Sequence, residues 1–155
     1  MELHASRVIA ADRATVWAAL NSAEVLKECI PGCEELTGSP EQGFAATVKQ
    51  KVGPVRATFK GEVALSDVVE NQSYTISGEG KGGVAGFAKG EARVRLADAE
   101  GGTELFYDVE AKVGGKIAQL GSRLIDGFAR RMADQFFETF QAHVEGTGND
   151  DAAGA

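Results

Sequence analysis

Few side chains in this 155-residue chain combine a reactive type with a position that a strand or helix would turn inward. General acid or base catalysis needs a titratable group inside a pocket, and the predicted inward faces offer only Tyr107 and Gln50, with no histidine and no paired carboxylate. Cys29 and Cys33 are too few for a disulfide framework, and His4 and His143 sit near opposite ends, without metal-ligand spacing. The run Gly78 to Gly83 spells a G-x-G-x-x-G. In a dinucleotide fold that motif opens a helix, whereas the residues after it here alternate like a strand, so it is not read as a nucleotide loop.

The more informative chemistry is the absence of side chains. At the two-residue period of a strand, Tyr74, Ile76, Gly78, Gly80 and Gly82 share one face, and Thr75, Ser77, Glu79 and Lys81 the other. The next stretch repeats the pattern, with Ala88, Gly90, Ala92, Val94 and Leu96 opposite Lys89, Glu91, Arg93 and Arg95. The small residues face inward. Interiors pack to near-crystal density, so the missing volume is filled either by a helix lying close to the sheet or by a ligand.

Composition narrows the partners. A hydrophobic content of 43% fits one globular domain, and no apolar stretch reaches the length that crosses a bilayer. The first residues lack the layout of a secretion signal, which predicts a cytoplasmic protein. A formal net charge of −7 argues against nucleic acid, whose phosphates call for clustered Lys and Arg.

The elements that must position the glycine face follow from periodicity. Leu3 to Ile9 reads as a strand, Asp12 as an N-cap, and Arg13 to Leu20 and Ala23 to Cys29 as short helices, the second stopped by Pro31-Gly32. Antiparallel strands follow from Phe44 to Val113, joined by tight turns at Gly53-Pro54, Asn71-Gln72 and Gly101-Gly102. From Lys116 to Val144 apolar residues recur every three or four positions, which predicts one long amphipathic helix with Gly121 and Gly127 inside it. Residues 146–155 read as a disordered acidic tail beyond a domain of residues 1–145. The result is an α+β architecture, a curved antiparallel sheet wrapped around a long C-terminal helix, with two short helices after the first strand.

That order resembles the helix-grip layout of the START/Bet v 1-like (SRPBCC) superfamily. Val16-Trp17, the turn Cys29-Ile30-Pro31-Gly32-Cys33-Glu34, the hairpin Lys51-Val52-Gly53-Pro54-Val55, the loop Gly82 to Ala88 and the helix entry Gly114 to Gly121 resemble the family of the G subunit of carbon monoxide dehydrogenase, from Met1 to about Glu145. The resemblance implies a non-catalytic accessory protein of a molybdenum-containing dehydrogenase. It also implies an internal pocket for an apolar molecule, a quinone or other lipid, with transient contact at the inner face of the cytoplasmic membrane. No cofactor or metal is implied. Unlike members with a long C-terminal extension, this chain has a short acidic tail without an apolar or basic anchor, so stable anchoring through it is not expected. The residues expected to contact the ligand are Phe59, Gly80, Gly82, Tyr107, Leu120, Leu124, Phe128 and Met132, with Val84 and Phe87 as an apolar lid. Two other readings stay open. One is a polyketide cyclase or dehydratase-like enzyme using Tyr107, and the other a ligand-free docking module presenting Arg123, Arg130 and Arg131.

Overall fold

A computed structural model describes the backbone of residues 1–154 and the side chains through residue 146. Strand β1 (Glu2–Ile9) leads into α1 (Arg13–Leu20) and α2 (Ala23–Cys29). Asp12 caps α1 by accepting a 2.7 Å hydrogen bond from the Thr15 N–H, and Ser22 caps α2 by accepting from the Val25 N–H. The strands β2 (Cys33–Ser39), β3 (Gly43–Val52), β4 (Val55–Val69), β5 (Ser73–Lys81), β6 (Phe87–Ala99) and β7 (Gly102–Gly114) then form an antiparallel meander. In the sheet the order is β1-β7-β6-β5-β4-β3-β2. The two short helices therefore carry the chain from one edge of the sheet to the other, and β1 returns to pair with the last strand.

The structure adds one strand and corrects one expectation. Residues 33–39 form β2, where the sequence shows no clean alternation. Cys33 pairs with Val48 and Ser39 with Gly43, and an irregularity between Cys33 and Glu35 breaks the two-residue period. The helix expected from Lys116 begins later. Residues 116–120 make a 3-10 turn, bracketed by Gly115 (φ 79°, ψ −153°) and Gly121 (φ 93°, ψ 154°), and α3 (Ser122–Gly154) starts beyond the second glycine. Both glycines hold a backbone conformation that residues with a Cβ scarcely adopt, so the chain turns there before the helix crosses the sheet. The tail expected over residues 146–155 lies, past residue 146, outside the residues described with side chains.

The main core collects Ile9, Val16, Leu20, Cys29, Tyr74, Leu96, Leu105, Phe137, Phe140 and Val144 under the C-terminal half of α3. Trp17 meets the Tyr74 ring edge-on at 5.2 Å, and the fully buried Thr103 hydroxyl donates to the Ala11 carbonyl at 2.7 Å. Residues Leu124, Phe128, Phe136, Phe140 and Val144 all belong to, or pack on, an apolar cluster, and with Met132 they recur every fourth position along one stripe of α3. Among the described residues no helix is long and apolar enough to cross a membrane.

A Cβ on Gly121 would meet no atom within 4 Å, so Gly121→Ala tests the backbone alone. It should lower stability by about 1–3 kcal/mol in urea denaturation. Burial in the main core pushes the Cys29 thiol up from 9.0 to about 11. The folded chain thus keeps a proton that the unfolded chain sheds. This contribution is complete below pH 9.0 and is lost as the pH climbs to about 11, so the urea midpoint should fall more steeply over that window than in Cys29→Ala.

Candidate functional site

Gly78 and Gly80 of β5 and Gly82 just beyond it serve three different purposes, which only their surroundings separate. A Cβ on Gly78 would stand 2.5 Å from the Glu62 carbonyl oxygen and 2.4 Å from Val63 Cγ1. Its cross-strand partner Gly90 is as crowded, 2.1 Å from the Glu110 carbonyl oxygen. Here glycine lets neighbouring strands close on each other as the sheet bends. At Gly82 the Phe59 ring occupies the place of a side chain, 2.5 Å from the would-be Cβ. Gly80 alone of the three inward glycines faces open space, with nothing within 4 Å.

Gly80 belongs to a row of small residues crossing the sheet. Ladder pairing runs Leu36–Ala46–Gly61–Gly80–Ala88, and the row beside it runs Phe44–Val63–Gly78–Gly90–Ala111. A Cβ on Gly61 would also be unobstructed, its nearest neighbour an oxygen at 3.7 Å. These rows lie between two separate apolar clusters. On one side is the main core. On the other, Val52, Val55, Ala85 and Ile117 are buried, with Ala57, Phe59, Val113, Leu120, Leu124 and Phe128 packed on them. On the α3 stripe Phe128 belongs to the second cluster and Phe136 to the first, about 12 Å apart along the helix axis. Met132 lies between them, half-buried and packed on neither cluster. The inner face thus has an apolar floor that is smallest at Gly61, Gly78, Gly80, Ala88 and Gly90, an apolar cluster at each end and Met132 on the helix side.

Of the expected contact residues, Phe59, Leu120, Leu124 and Phe128 are brought together in the second cluster, and Gly80 and Met132 fall between the clusters. Gly82 is filled by Phe59. Tyr107 is part of the main core, stacked on Phe137 at 4.7 Å, and its hydroxyl is pushed up by burial while Arg7 pulls the other way. Val84 and Phe87 do not cover the inner face. Val84 is 95% exposed, and Phe87 takes the outward register of Lys89 and lies over Gly114. A lid that reached inward would need the opposite register. Ala85, between them, is the loop residue that turns in.

The polar groups expected inside are held by structure. Gln50 Nε2 donates to the Pro31 carbonyl at 2.6 Å, fixing the turn before β2. Sequence reasoning missed Arg7, on the inward register of β1 opposite Leu105. Its guanidinium lies 5.8 Å from the Phe137 ring centre and 4.0 Å from Asp134. It also passed over Leu36 and Gly61. Gly61 sits at period two between Phe59 and Val63, a signal present in the sequence, whereas Leu36 depended on recognising β2.

The two classes of glycine make opposite predictions. Gly80→Ala should leave stability unchanged or raise it by about 0.4–1 kcal/mol, since only unfolded-chain entropy changes. Gly78→Ala should cost about 1–3 kcal/mol through strain between strands, both read from thermal or urea denaturation.

Comparison with solved structures places this geometry among known folds. A conserved protein from Geobacillus kaustophilus superposes with a TM-score of 0.88 at 26% identity, covering 95% of this chain and 97% of that one. A protein from Thermus thermophilus matches at 0.70 and 14% identity, over 95% and 99% of the two chains. One from Chromobacterium violaceum matches at 0.69 and 14%, over 93% and 97%. No curated protein matches the chain. The seven-stranded sheet gripping a long C-terminal helix is the helix-grip fold, and the profile of one family matches residues 6–145, almost the whole of it. The chain belongs to the CoxG family, that of the G subunit of carbon monoxide dehydrogenase.

Proposed function

We propose that this protein is a non-catalytic accessory to a molybdenum-containing hydroxylase of the carbon monoxide dehydrogenase type, and that it holds an elongated apolar molecule between α3 and the small-residue rows. The observation that carries the reading is the half-buried strip of Leu36, Ala46, Gly61, Gly80 and Ala88 separating two packed apolar clusters, with unfilled space at Gly80. Close strand packing accounts for Gly78 and Gly90 but leaves Gly80 and Gly61 without a structural reason to be glycine. Apolar walls with few polar anchors suit a quinone or another lipid. An isoprenoid quinone fits the family's association with a dehydrogenase, since it would accept the electrons that such an enzyme releases. A molecule of this kind resides in a bilayer, so the carrier meets a membrane when it loads or unloads.

The deciding experiment is solvent extraction of the purified protein, after exposure to native membrane lipids and quinones, followed by mass spectrometry. A stoichiometric quinone or lipid in the wild type, lost in Gly80→Leu with unchanged circular dichroism, is the expected result. Repeated extraction without any apolar molecule would leave the strip as bare surface and remove the carrier function.

A further inference from the structure

Strand β1 stands at one edge of the sheet, so half of its backbone groups have no strand to pair with. Met1 and Ala111 exchange both of their backbone hydrogen bonds, each at 2.9 Å. Antiparallel alternation then directs the N–H and C=O groups of Leu3, Ala5, Arg7 and Ile9 toward β7, and turns those of Glu2, His4, Ser6 and Val8 away from it. Helix α3 closes the far end of this edge. Gln141 Nε2 donates to the Val8 carbonyl at 3.3 Å, and Glu145 accepts from the Ala10 N–H at 3.0 Å. Among the described residues nothing seals the backbone of Glu2, His4 and Ser6 in the same way. The opposite edge, β2, is bulged between Cys33 and Glu35, a device that discourages pairing, whereas β1 is regular throughout.

Between the open stretch and α3 lies a groove of about 350 Å³. Leu3, Ala5 and Tyr107 line it from the sheet, and Arg130, Ala133 and Asp134 from the helix. The helix runs beside β1 in the same direction, Asp134 near Arg7, Gln141 on Val8 and Glu145 on Ala10. About 13 Å before the Gln141–Val8 bond, at the rise of a helix and of a strand, stand residue 132 of α3 and His4 of β1. Arg130 and Asp134 therefore flank the level of His4 evenly. Both are exposed. Among the described residues Arg130 makes no salt bridge, and Asp134 reaches only Arg7, at 4.0 Å.

We propose that the open half of β1 is the interface of a homodimer, in which two copies join edge to edge, antiparallel about a two-fold axis through His4, with Arg130 of each copy meeting Asp134 of the other. In this register Glu2, His4 and Ser6 exchange backbone bonds with Ser6, His4 and Glu2 of the second copy, and Leu3 packs beside Ala5. Any shift along the strand leaves one of the three unpaired or takes Val8 from Gln141. A two-fold contact needs a patch that complements itself, and a cation and an anion placed evenly about the axis make one. That symmetry favours a second copy over an unrelated extended segment. On the outer face Glu2 falls opposite Ser6, whose hydroxyl donates to Glu104, and diagonal to His4 of the second copy. The two His4 rings meet at the axis, each held by its own Asp108 at 2.7 Å. The small-residue rows of β4 to β6 lie away from this edge, so the dimer is independent of the carrier function.

Light scattering on the full chain after gel filtration, from micromolar to millimolar concentration, is the test, with native mass spectrometry for mixtures. The wild type should reach twice the chain mass of 16.2 kDa. Arg130→Glu and Asp134→Arg should each weaken self-association about tenfold or more, since each sets like charges together twice across the axis. Mixed in equal amounts, these two variants should recover association as a heterodimer, because every contact then joins opposite charges. A merely structural role for either residue would give no such rescue. His4→Pro removes the N–H on the axis but none that β7 uses, and should give a monomer with unchanged circular dichroism. A wild type that stays monomeric at millimolar concentration overturns the interface, and so does a dimer indifferent to all three substitutions or a mixture that fails to associate. A monomer that instead pairs this edge with a strand of another protein overturns it as well.

Discussion

The close approach of the strands at Gly78 and Gly90 is the constraint on which the rest of the inner face depends. These two residues are cross-strand partners, and each lies so near a neighbouring carbonyl that a methyl group could not be placed there. The sheet can bend through this point because the residues there have no side chains to collide. With the bend in place, the two ends of the sheet can pack on different parts of the same helix, and the middle is left thinly covered. Curvature and vacancy therefore have a common origin in β5 and β6.

Helix α3 turns that curvature into two clusters. Its stripe from Leu124 to Val144 is continuous, yet the side chains it meets are not. At the C-terminal half it finds Tyr74, Leu96, Leu105 and Tyr107, large residues that close around Phe137 and Phe140. At the N-terminal half it finds the β3–β4 hairpin and the turn of residues 116–120, set by the Gly115 and Gly121 conformations. Between them β5 and β6 present Gly78, Gly80, Ala88 and Gly90, which cannot reach the helix, while the larger Leu36, Phe44 and Val63 stand at the β2 to β4 side of the same rows. A stretch that was apolar but large would have merged the clusters into one core of the ordinary kind.

Charge is distributed by the same geometry. Antiparallel pairing brings Lys60, Lys81, Lys89 and Lys112 onto the outer face together with Glu62, Glu79, Glu91 and Glu110, so both signs of charge alternate across the strands there.

The limits of α1 and α2, the order of β3 to β7 and most inward faces were legible in the sequence because they rest on local rules: the Asp12 cap, the alternation of β3 to β7, and the fourfold spacing of α3. Strand β2 escaped because its pairing with β3 is irregular, and with it Leu36 escaped from the row that Gly61 and Gly80 continue. The break at Gly121 was visible as a glycine but not as a turn, since periodicity runs unbroken through residues 117, 120, 124 and 128. What the sequence determined alone was that one face of β5 and β6 lacks side chains. Only the tertiary structure decided which glycines answer to a neighbouring backbone, which to the Phe59 ring and which to open space, because that depends on distances between strands far apart along the chain.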